Sequence, residues 1–311
     1  MTEAYHEALE RVERDHWWFK ALRRLVSECL QREVPPPARV LDVGCSTGHL
    51  LDGLPATYER RGVEFNVDAV EHARNARPDI QFDVGSIEAL PLDTASFDAV
   101  LAIDVISAVG VENDLRAVSE LRRILKPGGT LIAQVAAYEW LRSGHDIGAG
   151  TARRYTARQF ERLLRNAGFS SVKVSYRVTA LFLPAALWRL LRRRGAKSDV
   201  APVAPVLNYL FTKAMNIEHP LALRGQLPFG LSVFAIAKVD TAPPPSRSGI
   251  KRIAVAAGVG FLAFAPPGTL IVLAGLGIGL FGTNAVLASL AILAAAAIIW
   301  FTWKCVRKKS E

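Results

Sequence analysis

Cysteine is scarce, with three in 311 residues at Cys29, Cys45 and Cys305. They stand far apart and without metal-ligand spacing. A disulfide framework is excluded, no metal site is expected, and a reducing compartment is indicated. The glycine-bearing turn at Asp42–Gly48 lacks the Gly-x-Gly-x-x-Gly pattern, which disfavours a nicotinamide dinucleotide site, and no Gly-Lys-Ser/Thr follows to cradle nucleotide phosphates. The opening Met1-Thr2-Glu3 is polar and acidic, so no secretory signal peptide is expected. Charge is absent from all 51 residues between Ile253 and Trp303.

That run is long enough for two membrane spans of roughly 20 residues each. They are expected at Ile253–Gly275 and Ala285–Trp303, parted near Gly282-Thr283-Asn284, with Pro266-Pro267 kinking the first. Lys251-Arg252 precede the run and Lys304, Arg307, Lys308 and Lys309 follow it, so both ends are expected in the cytoplasm. A soluble helical hairpin would need a polar face, and neither half has one. Half of the residues are apolar and the net charge is +9. The basic residues cluster beside apolar segments, at Arg189–Arg194, Lys251-Arg252 and Lys304–Lys309. This placement favours a membrane surface as partner, and no nucleic acid is expected.

Between the ends, strand and helix patterns alternate. Strands are expected at Val40–Val43, Glu59–Phe65, Ile80–Val84, Ala99–Ile103, Leu131–Val135, Val172–Val178 and Ser232–Val239. Helices are expected at Asp68–Ala76, Asn113–Leu125 and Ala157–Ala167, with Lys126-Pro127-Gly128-Gly129 as a turn. The alternation predicts an α/β fold with a doubly wound, seven-stranded, mostly parallel sheet. Residues 1–38 read as an N-terminal helical cap, continuous from about Glu3 to Arg32, with His16, Trp17 and Trp18 as a lid or as core. The α/β domain spans 39–240 and carries an insert at 179–230; a linker at 241–252, the apolar hairpin at 253–303 and a basic tail at 304–311 follow. Inside the insert, Leu181–Trp188 is apolar and ends in arginines. It reads either as an interfacial amphipathic segment or as a helix packed on the sheet.

The first strand ends in Asp42-Val43-Gly44-Cys45-Ser46-Thr47-Gly48, a turn that brings backbone N–H groups close to a ligand. The second ends at Glu64, whose two acceptor oxygens suit the hydroxyls of a ribose. Gly85-Ser86-Ile87 closes the third strand and Asp104 the fourth, so all face the carboxyl edge where ligands bind in open parallel sheets.

Four runs, in order, carry a resemblance: Val40–Gly48, Gly85–Leu92, Ser96-Phe97-Asp98 and Leu121–Gly129. Together they resemble the class I S-adenosylmethionine-dependent methyltransferases, and more narrowly the type 11 group. The resemblance implies S-adenosyl-L-methionine as cofactor. It implies that Gly44 and Gly48 border the methionine part, that Asp42 and Cys45 belong to the same cofactor site and that Glu64 holds the ribose. Ser86 and Ile87 then flank the adenine and Asp104 lines the methyl-donor pocket. The sequence departs from the pattern at Ser46, at Ser86 and at Ser107-Ala108, where the group often carries glycine, aspartate and Glu-His.

Methyl transfer to oxygen or nitrogen often needs a base. His145 is the best candidate by its ordinary pKa, with Asp146 able to orient an imidazole, and Tyr155 is a second candidate catalytic residue. The expected activity is methyl transfer at the cytoplasmic face of a cell membrane, to a small-molecule or lipid-linked acceptor. The departures motivate an alternative, a non-catalytic membrane-tethered scaffold. Acceptor identity and oligomeric state are not legible.

Overall fold

The computed structural model describes residues 3–191 and 203–241. The expected spans at 253–303, the basic tail and Cys305 lie outside the described residues. Among the described residues no helix is long and apolar enough to cross a membrane.

Seven strands form one sheet: β1 (Ala38–Val43), β2 (Tyr58–Glu64), β3 (Gln81–Val84), β4 (Phe97–Ile103), β5 (Leu125–Ala136), β6 (Ser171–Arg177) and β7 (Ser232–Lys238). Their order is β3-β2-β1-β4-β5-β7-β6. The first five run parallel, and β7 lies antiparallel between β5 and β6. The strand order reverses between β1 and β4, so the crevice of the fold opens beyond the carboxyl ends of β1, β2 and β4.

Alternation along each strand feeds two cores. Leu41, Val43, Val100 and Ala102 face one side, covered by α5 (Asp114–Ile124) and α7 (Ala157–Asn166). Val40, Ala99 and Leu101 face the other, covered by α2 (Trp17–Glu33), α3 (His49–Asp52) and α4 (Val67–Ala76). On α5 the buried residues Ala117, Val118, Leu121 and Ile124 recur at helical spacing, and Asn113 caps the first turn through Arg116 N at 2.9 Å.

Two local expectations change. The N-terminal helix is broken into α1 (Glu3–Asp15) and α2, because His16 turns extended and caps α2, its Nδ1 accepting from Trp18 N at 3.3 Å. The Lys126–Gly129 segment is no free turn. It is absorbed into a 12-residue β5 as an irregularity, with the β4 register jumping between Phe97 and Ala99 and Gly128 at φ +79°.

The insert carries α8 (Phe182–Leu191) and α9 (Pro205–Arg224). Glu218 of α9 stitches it to the sheet, accepting from Val178 N at 2.5 Å and Thr179 N at 3.0 Å beyond the end of β6. Trp17 N donates to Asn208 at 2.6 Å, and the Trp17 ring meets Phe211 edge-on at 5.5 Å. His16 is buried and Trp18 stands 5.4 Å from the Arg177 guanidinium. These aromatics therefore join α2 to the insert and to β6.

Candidate functional site

The chain leaves β1 through three left-handed residues, Gly44 at φ +76°, Ser46 at +50° and Gly48 at +83°. Glycine adopts this region without strain, whereas serine does so at a cost. A Cβ on Gly44 would stand 2.7 Å from the Val105 side chain, so the position admits no side chain without displacement. The turn consumes most of its own amides. Gly44 N and Cys45 N donate to Val63 O at 2.7 and 3.2 Å, Ser46 N to Glu64 at 3.0 Å, and Gly48 N to Cys45 O at 2.8 Å. The expected row of free N–H groups is therefore spent on holding β1 against β2, and recognition at this edge falls to side chains.

Glu64 is the best organised of them. One carboxylate oxygen accepts from Ser46 N and the other from Asn66 N, each at 3.0 Å. Each oxygen keeps a second acceptor direction, and the side chain is only half-buried. Phe65, next in sequence, is 77% exposed at the same edge. A large aromatic left in solvent beside an oriented carboxylate has the form of a ring platform. No spacing rule pointed to it; only its exposure does.

Carboxylates crowd this edge. Asp42 is buried, and burial together with Glu64 and Glu13 pushes its carboxyl well above the usual range. Glu13 arrives from α1, accepting from the Thr47 hydroxyl, and burial raises its carboxyl too. Glu10, one turn earlier, pairs with Arg77 and with His72 at 3.0 Å, and Arg77 donates to Thr47 O at 2.9 Å. So α1, and not His16-Trp17-Trp18, is latched onto the donor turn. A ligand carrying positive charge relieves the repulsion among Asp42, Glu64 and Glu13. The chemistry of this edge thus fits a sulfonium bearing an ammonium group.

Across the crevice, Asp104 follows β4 at φ +59°. Gln134 of β5 donates to its carboxylate at 2.9 Å, and Arg177 of β6 donates to the Gln134 carbonyl at 2.5 Å. Burial raises Asp104 to about 6, while the Gln134 bond and the Arg177 and Arg154 charges restrain the rise. Arg177 is fully buried, and its Nε and Nη2 lack hydrogen-bond partners among the described residues, beneath the Trp18 ring.

Other expected residues are less directly engaged. Ser86 accepts from Glu88 N at 3.2 Å, and the Ile87 side chain is buried in the core, which leaves its backbone for a ligand. The Cys45 thiol is buried, pushed up by burial and by Asp42, and serves packing. His145 lies partly buried in the short helix α6 (Gly144–Gly148). Asp146 is not free to orient it, since its two oxygens accept from Arg154 Nε at 2.7 Å and Ser143 N at 2.8 Å. The Tyr155 hydroxyl donates to Asp114 at 2.8 Å and lines a surface cleft of about 630 Å3 with Glu139, Arg142 and Arg153. Burial and Asp114 both push that phenol upward, which disfavours its ionisation. Arg153 clamps Val111 O at 2.6 Å and Glu112 O at 2.8 Å.

Sequence comparison places this chain among known methyltransferases. The family described as Methyltransferase domain matches residues 41–133. A malonyl-[acyl-carrier protein] O-methyltransferase of Methylococcus capsulatus is 31% identical over 196 residues, covering 57% of this chain and 70% of that protein. A Mycolicibacterium smegmatis protein described as a probable S-adenosylmethionine-dependent methyltransferase is 29% identical over 163 residues, and the match takes in 50% of this chain but only 60% of that protein's length. A crystal structure of an S-adenosylmethionine-dependent methyltransferase from Archaeoglobus fulgidus is 18% identical with a TM-score of 0.45, covering 70% of this chain and 94% of that one.

Proposed function

This chain belongs to the S-adenosylmethionine-dependent methyltransferases, and from that premise we propose that it methylates a small or lipid-linked acceptor at the cytoplasmic face of a cell membrane. S-adenosylmethionine is the cofactor. When bound it supplies an electrophilic methyl on a positively charged sulfur. Glu64 takes the ribose hydroxyls, Phe65, Ser86 and Ile87 border the adenine, and Gly44 and Gly48 leave room for the methionine part. A bound cation draws the raised carboxyls of Asp42, Glu13 and Asp104 back toward ionisation, and so gains the negative surroundings it requires. The observation that carries the reading is the Glu64 carboxylate, held at both oxygens by Ser46 N and Asn66 N.

Binding of labelled S-adenosylmethionine to the parent chain and to Gly44→Arg tests the donor assignment. Equal binding by both, or none by the parent, overturns it. Asp104 supplies a second check. Burial raises its carboxyl to about 6, and only the ionised form attracts a cation, so donor affinity is expected to fall as pH drops through that value. Gln134→Leu removes the bond that restrains the pKa and is expected to move the midpoint upward in calorimetric titrations.

Membrane attachment rests on the uncharged residues 253–303. Two spans, at Ile253–Gly275 and Ala285–Trp303, would place the catalytic domain and both termini in the cytoplasm. Fractionation of cells followed by protease protection of the tail checks this topology. Incubating membranes with labelled donor should then yield an organic-extractable product that is lost on His145→Ala. A second reading, a tethered scaffold without catalysis, is favoured by the commitment of Asp146 to Arg154 and of Tyr155 to Asp114. Donor binding with no labelled product in any fraction supports that alternative.

A further inference from the structure

The insert helix α9 carries apolar residues on both faces, with Glu218 and His219 buried among those of the inner one. Its inner face buries Met215, Ala222 and Leu223, with Glu218 turned to the end of β6. Its outer face leaves Val206 70%, Leu210 52%, Ile217 71% and Leu221 37% exposed. The spacings of four, seven and four residues put these four on a single stripe. Lys213 lies on the same stripe, its ammonium 5.4 Å from the Tyr209 ring. An ordinary surface helix reverses this arrangement and turns polar residues outward. The neighbouring α8 does the same: Ala186 is buried, while Leu187 and Trp188 are 48% and 42% exposed.

We propose that the outer faces of α8 and α9 form a membrane-contact surface that rests in the headgroup region of an anionic bilayer. The composition selects this occupant. A buried stripe between two protein copies would bring Lys213 against its own counterpart on a molecule of net charge +9. At a lipid surface the same lysine meets phosphate groups. Tyr209 and Trp188 carry polar tips on apolar bodies, the usual composition at headgroup depth. In sequence, Arg192-Arg193-Arg194 follow α8 directly, each worth attraction to anionic lipid. The inference rests on the membrane part of the proposed function and adds a second contact to the anchor. The insert then holds the sheet's carboxyl edge against the phase in which a lipid-linked acceptor resides.

The test uses the full chain with Cys305→Ser, since Cys29 and Cys45 are buried. Single cysteines at Leu210→Cys, Ile217→Cys and, as a control on α7, Arg158→Cys carry an environment-sensitive fluorophore. Each protein is reconstituted in phosphatidylcholine vesicles with or without phosphatidylglycerol, and quenching by lipids spin-labelled near the headgroup is read. The labels at positions 210 and 217 should be quenched several-fold more than at 158, and more strongly with phosphatidylglycerol. The variant Leu210→Glu/Ile217→Glu, probed at Leu187→Cys, should lose quenching while keeping its helix content and its affinity for labelled donor. Equal quenching at 210, 217 and 158 in a vesicle-bound chain that still binds donor overturns the surface and leaves the donor reading intact. Efficient disulfide formation between Ile217→Cys copies in place of quenching assigns the face to a second copy and overturns the lipid contact. A chain that binds donor but never associates with vesicles removes both the anchor and this surface.

Discussion

Glu64→Ala is expected to weaken S-adenosylmethionine binding by about 100-fold. A ribose held by a carboxylate gains two charge-assisted hydrogen bonds, each worth roughly 1.5–3 kcal/mol. Losing about 3 kcal/mol corresponds to two decades in Kd. The substitution also frees Ser46 N and Asn66 N, which the carboxylate now holds at 3.0 Å. Glu64→Gln separates these effects. It keeps an acceptor for one amide and removes the charge, so its loss should be smaller. Calorimetry with the parent and both variants provides the measurement, and unchanged affinity in Glu64→Ala would remove the ribose assignment.

Asp146→Ala is expected to destabilise the fold by about 3–5 kcal/mol, because it strands a buried guanidinium. Asp146 and Arg154 have side chains only 2% exposed and pair at 2.7 Å. Arg154 also donates to Ala137 O at 2.7 Å, beyond the end of β5. The pair thus ties the His145 helix to the sheet. Burial alone would raise the Asp146 carboxyl; the Arg154 and Ser143 hydrogen bonds outweigh it and hold the group below its ordinary 3.8. A depressed carboxyl stabilises the fold above its unfolded-state pKa, and that contribution is lost as pH falls through the folded value. The parent should therefore weaken in acid below about pH 4 more steeply than Asp146→Ala. Thermal unfolding followed by circular dichroism should show the variant melting roughly 10 °C lower at neutral pH. Asp146→Leu/Arg154→Met should recover much of the loss, since it removes both charges together. A drop in activity without any drop in melting temperature would instead give Asp146 a direct part in catalysis.

The donor edge was legible where its parts are strand ends. Asp42 and Gly44 end the apolar run of β1 and Glu64 is the last residue of β2, and parallel pairing of Val43 with Val63 then brings them side by side. Their neighbours were not legible. Glu13 meets Thr47 across 34 residues, and Gln134 joins Asp104 to Arg177 across 30 and 43 residues. No local pattern marks such pairs, because each helix or strand would look the same with a different partner. Of the two readings of His16-Trp17-Trp18, lid or core, the structure takes packing, with Trp17 and Trp18 against a buried cluster; the acidic face of α1, which no aromatic marks in the sequence, meets the turn instead. Lys126–Gly129 has the composition of a turn, yet β4 pairs on either side of it, at Leu125 and from Thr130, and backbone bonds to Val239 and Asp240 hold it within the strand.

Charge-free length and strand-helix alternation by themselves determined the class of fold and the expectation of a membrane, since these follow from composition and spacing along the chain; the cofactor was implied by the resemblance of four short runs to the class I methyltransferases. Which carboxylates share the crevice, which ion pair replaces a catalytic dyad, and which side of α9 looks outward were decided only by tertiary structure. A helix with apolar residues on both faces carries no record of which one packs. That choice is made by Glu218, whose buried carboxylate needs the amides at the end of β6.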